Sequence, residues 1–486
     1  MESFDAVVIG AGYGGATAAA LLAHSGRRVA LLEKTLRAGG KAQTIDRRGY
    51  RFEMFGAVGI PAHNSRFHEL VDLLGVAERV PFIIPPGEVA CVRYQAAGGE
   101  WRSMRAALQQ TGTPQEIDNL RRVYGVTDGD LAALGALYAA VLSLQGAELD
   151  ALDDVGMLDW VRPFGLPPSL LSQLCVTLNT LFVVPVNRLA ASEAIFTLRQ
   201  LVLGGAGRYH LGGYGRVAEV CAEYVSEHGG LYRTGERVRR IVVEGGRAVA
   251  VETDNARLQA RAVLSNAGIQ PTVLRLAGGE HFPPDYVERV KLLEPSWAIA
   301  GNRYVLDAEV FDAALTPIYS DQSWLDDERF ARMAAGEWPD VPLIAIDVAS
   351  AFDPSLVPVP GHQVANCQVF CSADPNSPLA GEAIRRAELV LDDLFPELRK
   401  HILRKEPYGA KQIASLSRDA VLPGCGGEAV GLAQVVGQVG KSKPDARTPL
   451  PGLYLVGCDA GGRGAGTHQA VDSGFNVAAM VDADLG

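Results

Sequence analysis

Cysteine is scarce and unpaired in this chain of 486 residues: there are seven, none in C-x-x-C spacing, and Cys367 and Cys371 are the nearest two. That pattern excludes a disulfide framework and suits a reducing compartment, so a cytoplasmic location is expected. The nine histidines form no H-x-x-x-H or H-E-x-x-H set, and no metal is expected. Apolar runs stop well short of the ~18 residues that a membrane span needs. The first residues read directly into a strand, leaving no room for a signal peptide. Positive charge is in deficit, with a net charge of −11, which argues against a nucleic-acid partner. Low-complexity tracts and internal repeats are also missing. With 48% hydrophobic and 21% charged residues, the chain reads as an ordinary globular protein with room for two or three domains.

Glycine is what the chain has in quantity, 54 residues, and the two richest stretches sit near its ends. Residues 6–9 are a short β-branched apolar run suited to a buried strand. Gly10, Gly12 and Gly15 follow as G-x-G-x-x-G, and residues 16–23 read as a small-residue helix. Gly10 permits the tight turn, Gly12 lets a pyrophosphate approach the backbone, and Gly15 lets helix pack on strand. A helix N-terminus offers unpaired N–H groups to phosphates. A second strand at 28–32 ends on Glu33, close to the spacing expected of a ribose-binding acid. Together these features indicate dinucleotide binding. Near the other end, residues 453–456 form a second buried strand, followed by Gly457-Cys458-Asp459, a glycine loop over 461–466 and a helix beginning near Thr467. Two such units some 400 residues apart suggest one large ligand held by both ends of the chain.

The segment after Glu33 carries a more specific pattern. Glu33, Arg37 and Gly39-Gly40-Lys41 resemble the E-x-x-x-R-x-G-G-R signature of the flavin amine oxidase and phytoene desaturase superfamily, with Lys41 replacing the final arginine. A lysine keeps positive charge near the pyrophosphate but loses the bidentate fork. Gly49-Tyr50-Arg51-Phe52-Glu53 and Gly56-Ala57-Val58-Gly59 are similar to the G-[FY]-x-F-[DE]-x-G segment of the phytoene desaturase, carotenoid isomerase and retinol saturase branch. Gly212-Gly213-Tyr214-Gly215, strands at 237–243 and 248–253, and Ser265-Asn266-Ala267 resemble that family's second nucleotide block. The resemblance implies an α/β fold: a Rossmann-like FAD-binding domain of the GR2 type, with an inserted substrate domain of mixed sheet plus helical cap. It divides the chain into FAD-binding parts at 1–85, 206–285 and 406–486, a helical cap at 86–205 and a substrate sheet at 286–405. It implies FAD as cofactor, with contacts on Gly10, Gly12, Tyr13, Gly14 and Gly15, and on Glu33, Lys34, Gly40 and Lys41. Further contacts fall on Gly56, Ala57 and Val58, on Val238 through its backbone, and on Asn266. The C-terminal contacts are Gly457, Cys458, Asp459, Gly466, Thr467 and His468. Many relatives place an acid directly after the strand's glycine; here Cys458 stands there and Asp459 follows, leaving the ribityl ligand open between them. The first cysteine is Cys91, far beyond the opening glycine loop, which excludes a flavin disulfide reductase.

The insertions point to the substrate. Helix-like runs at 130–144, 156–161, 169–181 and 192–202 are markedly apolar, and core packing accounts for most of that. The rest is expected to wall a tunnel for an apolar small molecule, or to touch a bilayer as a peripheral contact. Aligning Ala470-x-x-Ser473-Gly474 with the amine oxidase motif puts Gly466 where those enzymes carry a cage aromatic, and no aromatic occurs between Tyr408 and Tyr454. The leading expectation is therefore FAD-dependent desaturation or saturation of a C–C bond in an apolar substrate such as an isoprenoid or cyclic ketone. A flavin amine oxidase, or a non-catalytic binder of lipidated partners like the GDP-dissociation inhibitors, stands as an alternative. His468 is the first acid/base candidate, since a helix N-terminus favours a neutral imidazole. Tyr209, His210 and Tyr214 are the others, with a structural turn as the plainer role for Tyr209 and His210. The electron acceptor stays open among oxygen, a quinone and a redox partner.

Overall fold

The computed structural model describes residues 2–55, 65–107, 113–204 and 208–486. Two seven-stranded sheets organise it. The first has the strand Glu2–Ile9 at its centre, paired in parallel with Val29–Leu32 on one side and Arg257–Ser265 on the other. Leu231–Arg233 extends the parallel run beyond Val29–Leu32, and Leu453–Leu455 pairs in parallel with Arg257–Ser265. Arg247–Thr253 and Val238–Glu244 then turn back antiparallel. Val7, Val8, Val29, Ala30 and Leu31 are fully buried, as expected of parallel strands covered on both faces.

The helices Tyr13–His24 and Gly466–Leu485 pack against each other over this sheet. Their interface is built from small residues: a Cβ added at Gly474 would lie 2.6 Å from Thr17 Cβ. The helix Arg216–Glu227 packs on the other side of Tyr13–His24. The first and last segments of the chain are thus neighbours in one core.

The second sheet runs in the order Ile402–Tyr408, Ala298–Leu306, Gln363–Cys371, Ile344–Asp347, Leu315–Ser320, Ala90–Gln95 and Trp101–Ala106. Gln363–Cys371 is buried along its whole length. Ile318, Ile344, Ile346, Cys367 and Val369 share one face, covered by the helix Leu379–Leu394. Period-2 alternation turns Leu315, Ala345, Asp347 and Gln368 to the opposite face. Over that face lie the cap helices. Thr127 opens Asp128–Ser143 with a capping box to Asp130, and Pro168 occupies the first turn of Pro168–Phe182. Ala191–Leu203 completes the cap. The helices read from periodicity lie within two residues of these bounds. Tyr209-His210 departs from the expected turn: it is a short strand paired with Phe82-Ile83.

Candidate functional site

The site begins where Glu2–Ile9 ends. Gly10 adopts φ +90°, and a Cβ on Gly15 would sit 2.1 Å from Gly10 O, so that contact tolerates only glycine. Neither Tyr13–His24 nor Gly466–Leu485 has a side-chain N-cap or an acid in its first turn. Two uncapped helix N-termini thus open on one cavity, a combination suited to anionic groups. The buried Glu33 carboxylate is fixed beside the glycine loop by the Ala11 N–H (2.8 Å) and the Thr35 N–H (2.8 Å).

Three stretches of chain close on this cradle. In the orientation that satisfies both ends of its amide, Asn266 donates to Val456 O (3.0 Å) and accepts from the Gly12 N–H (3.3 Å). A Cβ on Gly14 would lie 2.7 Å from Gly457 Cα, and one on Gly457 would collide with the Asn266 side-chain amide. The result is a backbone-lined cradle with no room for side chains, which is what a pyrophosphate-bearing dinucleotide needs.

A single cavity of about 1030 Å³ extends from it. Gly10, Gly12, Tyr13, Gly14, Glu33, Lys34, Gly40 and Lys41 line it at the first segment, and Val238 and Asn266 in the middle of the chain. Cys458, Asp459, Gly466, Thr467 and His468 line it at the C-terminal loop and helix, with Tyr214 facing them. Gly15 and Gly457 stand behind the lining as packing contacts. Gly56, Ala57 and Val58 lie outside the described residues.

Some expected roles change. Lys41 spends its ammonium on the carbonyls of Glu428 (3.1 Å) and Val430 (3.0 Å), bracing the 428–430 loop instead of standing free for a phosphate. Asp459 is no free ribityl ligand either. Its carboxylate accepts from both terminal nitrogens, Nη1 and Nη2, of the Arg418 guanidinium (3.2 and 2.8 Å) and from the N–H groups of Ile269 (2.9 Å) and Leu432 (3.1 Å). Burial raises its pKa, but Arg418 and these hydrogen bonds outweigh that and bring it down to about 2. Cys458 donates its thiol to Gly466 O (3.2 Å). Tyr209 and His210 leave the candidate list, because neither lines the cavity. Pairing with Phe82-Ile83 turns both inward: Tyr209 stacks on Phe352 (4.9 Å), and His210 sits among Phe67 and Phe82.

Tyr214 and His468 remain on the cavity wall. The Tyr214 hydroxyl is 2.6 Å from Thr467 Oγ1, at the first turn of the terminal helix. Tyr13 donates to Tyr214 O, and the Tyr214 N–H donates to Glu53 (2.9 Å). Burial raises the Tyr214 pKa well above the usual phenol value and lifts Glu53 to about 8. His468 packs edge-on against Phe67 (5.0 Å), and burial lowers its pKa to about 4. Both ring groups are neutral at pH 7.

The cavity also reaches the cap helices. Val176, Thr180 and Leu181 from Pro168–Phe182, Phe196 and Leu201 from Ala191–Leu203, and Ile299, Leu315 and Ala345 from the second sheet wall it. The hydroxyls of Thr177 and Thr180 bond back to the carbonyls of Gln173 and Val176, each at 2.9 Å, so these positions present methyl groups to the space. The spacing 173, 176, 177 and 180 is a helical face legible in the sequence. Leu416, Arg418 and Asp419 at the opposite end were missed, since nothing local marks that loop. Among the described residues no group of three His, Cys, Asp or Glu could hold a metal, and no helix is long and apolar enough to cross a membrane. All seven cysteines are free.

Comparison with known proteins agrees with this geometry. The chain is 25% identical over 541 aligned positions to prolycopene isomerase 2, chloroplastic, of an Oncidium hybrid cultivar, covering 100% of this chain and 85% of that protein. It is 26% identical to all-trans-retinol 13,14-reductase of Macaca fascicularis, over 73% of this chain and 63% of that protein. An oxidoreductase from Methanosarcina mazei has the same fold, with a TM-score of 0.72 at 18% identity over 98% of this chain and 99% of that one. Residues 13–273 match the flavin-containing amine oxidoreductases. With the cradle, the paired helix N-termini and Glu33 all fitting the dinucleotide, the chain belongs to the flavin-containing amine oxidoreductase family, and its cofactor is FAD.

Proposed function

We propose that this FAD-dependent oxidoreductase moves a hydride to or from a carbon–carbon bond of an apolar, unsaturated small molecule, desaturating or saturating it. The observation that carries the reading is the single cavity, which runs from the dinucleotide cradle into a chamber with apolar walls. Bound FAD supplies a two-electron acceptor and donor at its ring. The chain's part is to orient and to exclude water: Val176, Leu181, Phe196, Ile299 and Leu315 desolvate an extended apolar molecule. His468, neutral and on the cavity wall, is the group to accept or return the proton on the neighbouring carbon. Tyr214, braced by Glu53 and Thr467, orients the reacting end. Relatives named for prolycopene and for retinol support a polyene as substrate class.

The amine oxidase reading is weaker because Gly466 leaves the aligned cage position without a ring. The test is anaerobic. The purified holoprotein is mixed with a panel of polyenes, cyclic enones and amines while the flavin absorbance is followed. Bleaching of oxidised flavin, or reoxidation of dithionite-reduced flavin, by a polyene or enone is the expected result. Bleaching by amines alone, with peroxide released in air, would overturn the proposal.

A further inference from the structure

The adenosine end of the cavity carries a charge cluster that the chemistry above does not use. Asp419 lies just beyond the helix Ala410–Leu416 and accepts from three cations, each on a different part of the fold. Lys34 Nζ, directly after Glu33, is 3.1 Å from Oδ1. Arg237 Nη1, directly before Val238, is 3.1 Å from both carboxylate oxygens. Arg275 on the helical segment Thr272–Gly278 completes the set. Lys34, Arg237 and Asp419 line the cavity, as does Leu416, which is 40% exposed and so lies between the cavity and solvent. Lys34 and Arg237 are the chain neighbours of Glu33 and Val238, the residues expected at the ribose and the adenine, and Asp419 ties them to Arg275.

That segment is pinned twice, and the pins differ in kind. Arg418 points inward to Asp459 and Glu428, both with side chains at most 5% exposed, so solvent and salt scarcely reach it. Asp419 points outward and its side chain is 22% exposed, with Arg275 at 44%. An ion cluster at that depth is partly screened by electrolyte, whereas the inner pin is not. We infer that Asp419 is a releasable ionic latch that fastens the 416–419 strap over the adenosine end of bound FAD and sets how fast the cofactor leaves. Asp419 is a positioning residue: it acts through the strap and through Lys34 and Arg237.

The test measures FAD dissociation from the holoprotein after dilution, by recovery of free FAD fluorescence, between about 20 and about 500 mM NaCl. For the wild type the off-rate rises with salt. Asp419→Asn raises the low-salt off-rate about tenfold, as expected for losing several partly exposed ion pairs together, and flattens the salt dependence. Arg275→Met, at a residue that does not line the cavity, gives a smaller rise, about threefold, in the same direction. It decides the matter should Asp419→Asn fail to fold. The apoprotein melting temperature serves as the control for general damage. An off-rate within twofold of wild type in both variants overturns the latch. So does an Asp419→Asn off-rate that is faster but keeps the full salt slope, since the loss would then be structural and not ionic.

Discussion

Gly14→Ala places a single methyl group where the opening helix meets the C-terminal loop. The new Cβ would stand 2.7 Å from Gly457 Cα, 2.8 Å from Gly457 N and 3.2 Å from Ala470 O. Carbon atoms in contact sit at about 3.5–4.0 Å, so one side must retreat by close to an ångström. Both sides are backbone: Gly14 is on the first turn of its helix, and Gly457 is held by its N–H to Ser473 Oγ (2.9 Å). Neither can swing away as a side chain would. Overpacking of this kind costs about 1–3 kcal/mol. Because the retreat opens the cradle, the cost falls on cofactor binding and corresponds to a Kd for FAD weakened about 5- to 150-fold. Titrating apoprotein with FAD by flavin fluorescence quenching measures it, and the melting temperature of the apoprotein separates a cradle defect from global loss of stability. A Gly14→Ala protein with wild-type FAD affinity would mean that the two ends of the chain do not close on one ligand, and the account of the cradle would fail.

Other changes probe separate parts of the molecule. Asp459→Asn removes one of the two buried carboxylates that Arg418 pairs with and leaves its guanidinium to Glu428 alone, so chemical denaturation should show a loss of about 1–3 kcal/mol. Glu53 has a folded pKa of about 8, so between about pH 4.5 and 8 the native state holds a proton that the unfolded chain has lost. Its contribution is full below pH 4.5 and is lost as pH rises through 8; Glu53→Gln should flatten the decline in melting temperature over that window, and an unchanged decline refutes the assignment. His468, at about 4, is neutral across pH 5–8, so anaerobic flavin reduction should show no histidine inflection near 6.5, and His468→Asn should slow it roughly 100-fold. Val176→Trp fills the chamber and should weaken binding of an apolar substrate by at least tenfold while leaving the flavin spectrum and FAD affinity unchanged.

The nucleotide cradle was legible because its glycines answer to backbone geometry that leaves no alternative. Gly15 against Gly10 O and Gly14 against Gly457 are contacts that any side chain would break, and such positions show in a sequence as fixed spacing. The cap helices were legible for a related reason, since apolar periodicity and prolines mark them locally. What stayed hidden depends on partners distant in sequence. Lys41 reads as a charge beside phosphate until the carbonyls of Glu428 and Val430 are seen around it. Tyr209 and His210 follow a glycine-rich stretch and invite a role at the site, but pairing with Phe82-Ile83 turns them away. Arg418 and Asp419 carry no motif at all, and their meaning comes from Asp459, Lys34, Arg237 and Arg275.

The charges along the cavity also bear on which molecule fits it. A substrate ammonium needs a carboxylate that is free to receive it, or a ring face beside the flavin. Every carboxylate on the lining already has a partner within the chain. Glu33 takes the Ala11 and Thr35 N–H groups, Glu236 takes Asn255, and Asp419 and Asp459 take the cations described above. Glu69 and Asp472 both pair with Arg66, and Asp347 accepts from Gln368. His468 and Tyr214, also on the lining, are held neutral by burial. A cation entering this space would lose its hydration and would have to compete with the ion pairs and hydrogen bonds these carboxylates already make, a cost that a neutral, apolar molecule avoids. A primary amine and the hydrocarbon of the same chain length should therefore differ in affinity for the holoprotein at pH 7, with the hydrocarbon the tighter ligand by flavin difference spectroscopy. Tighter binding of the amine would mean that one of these carboxylates receives it.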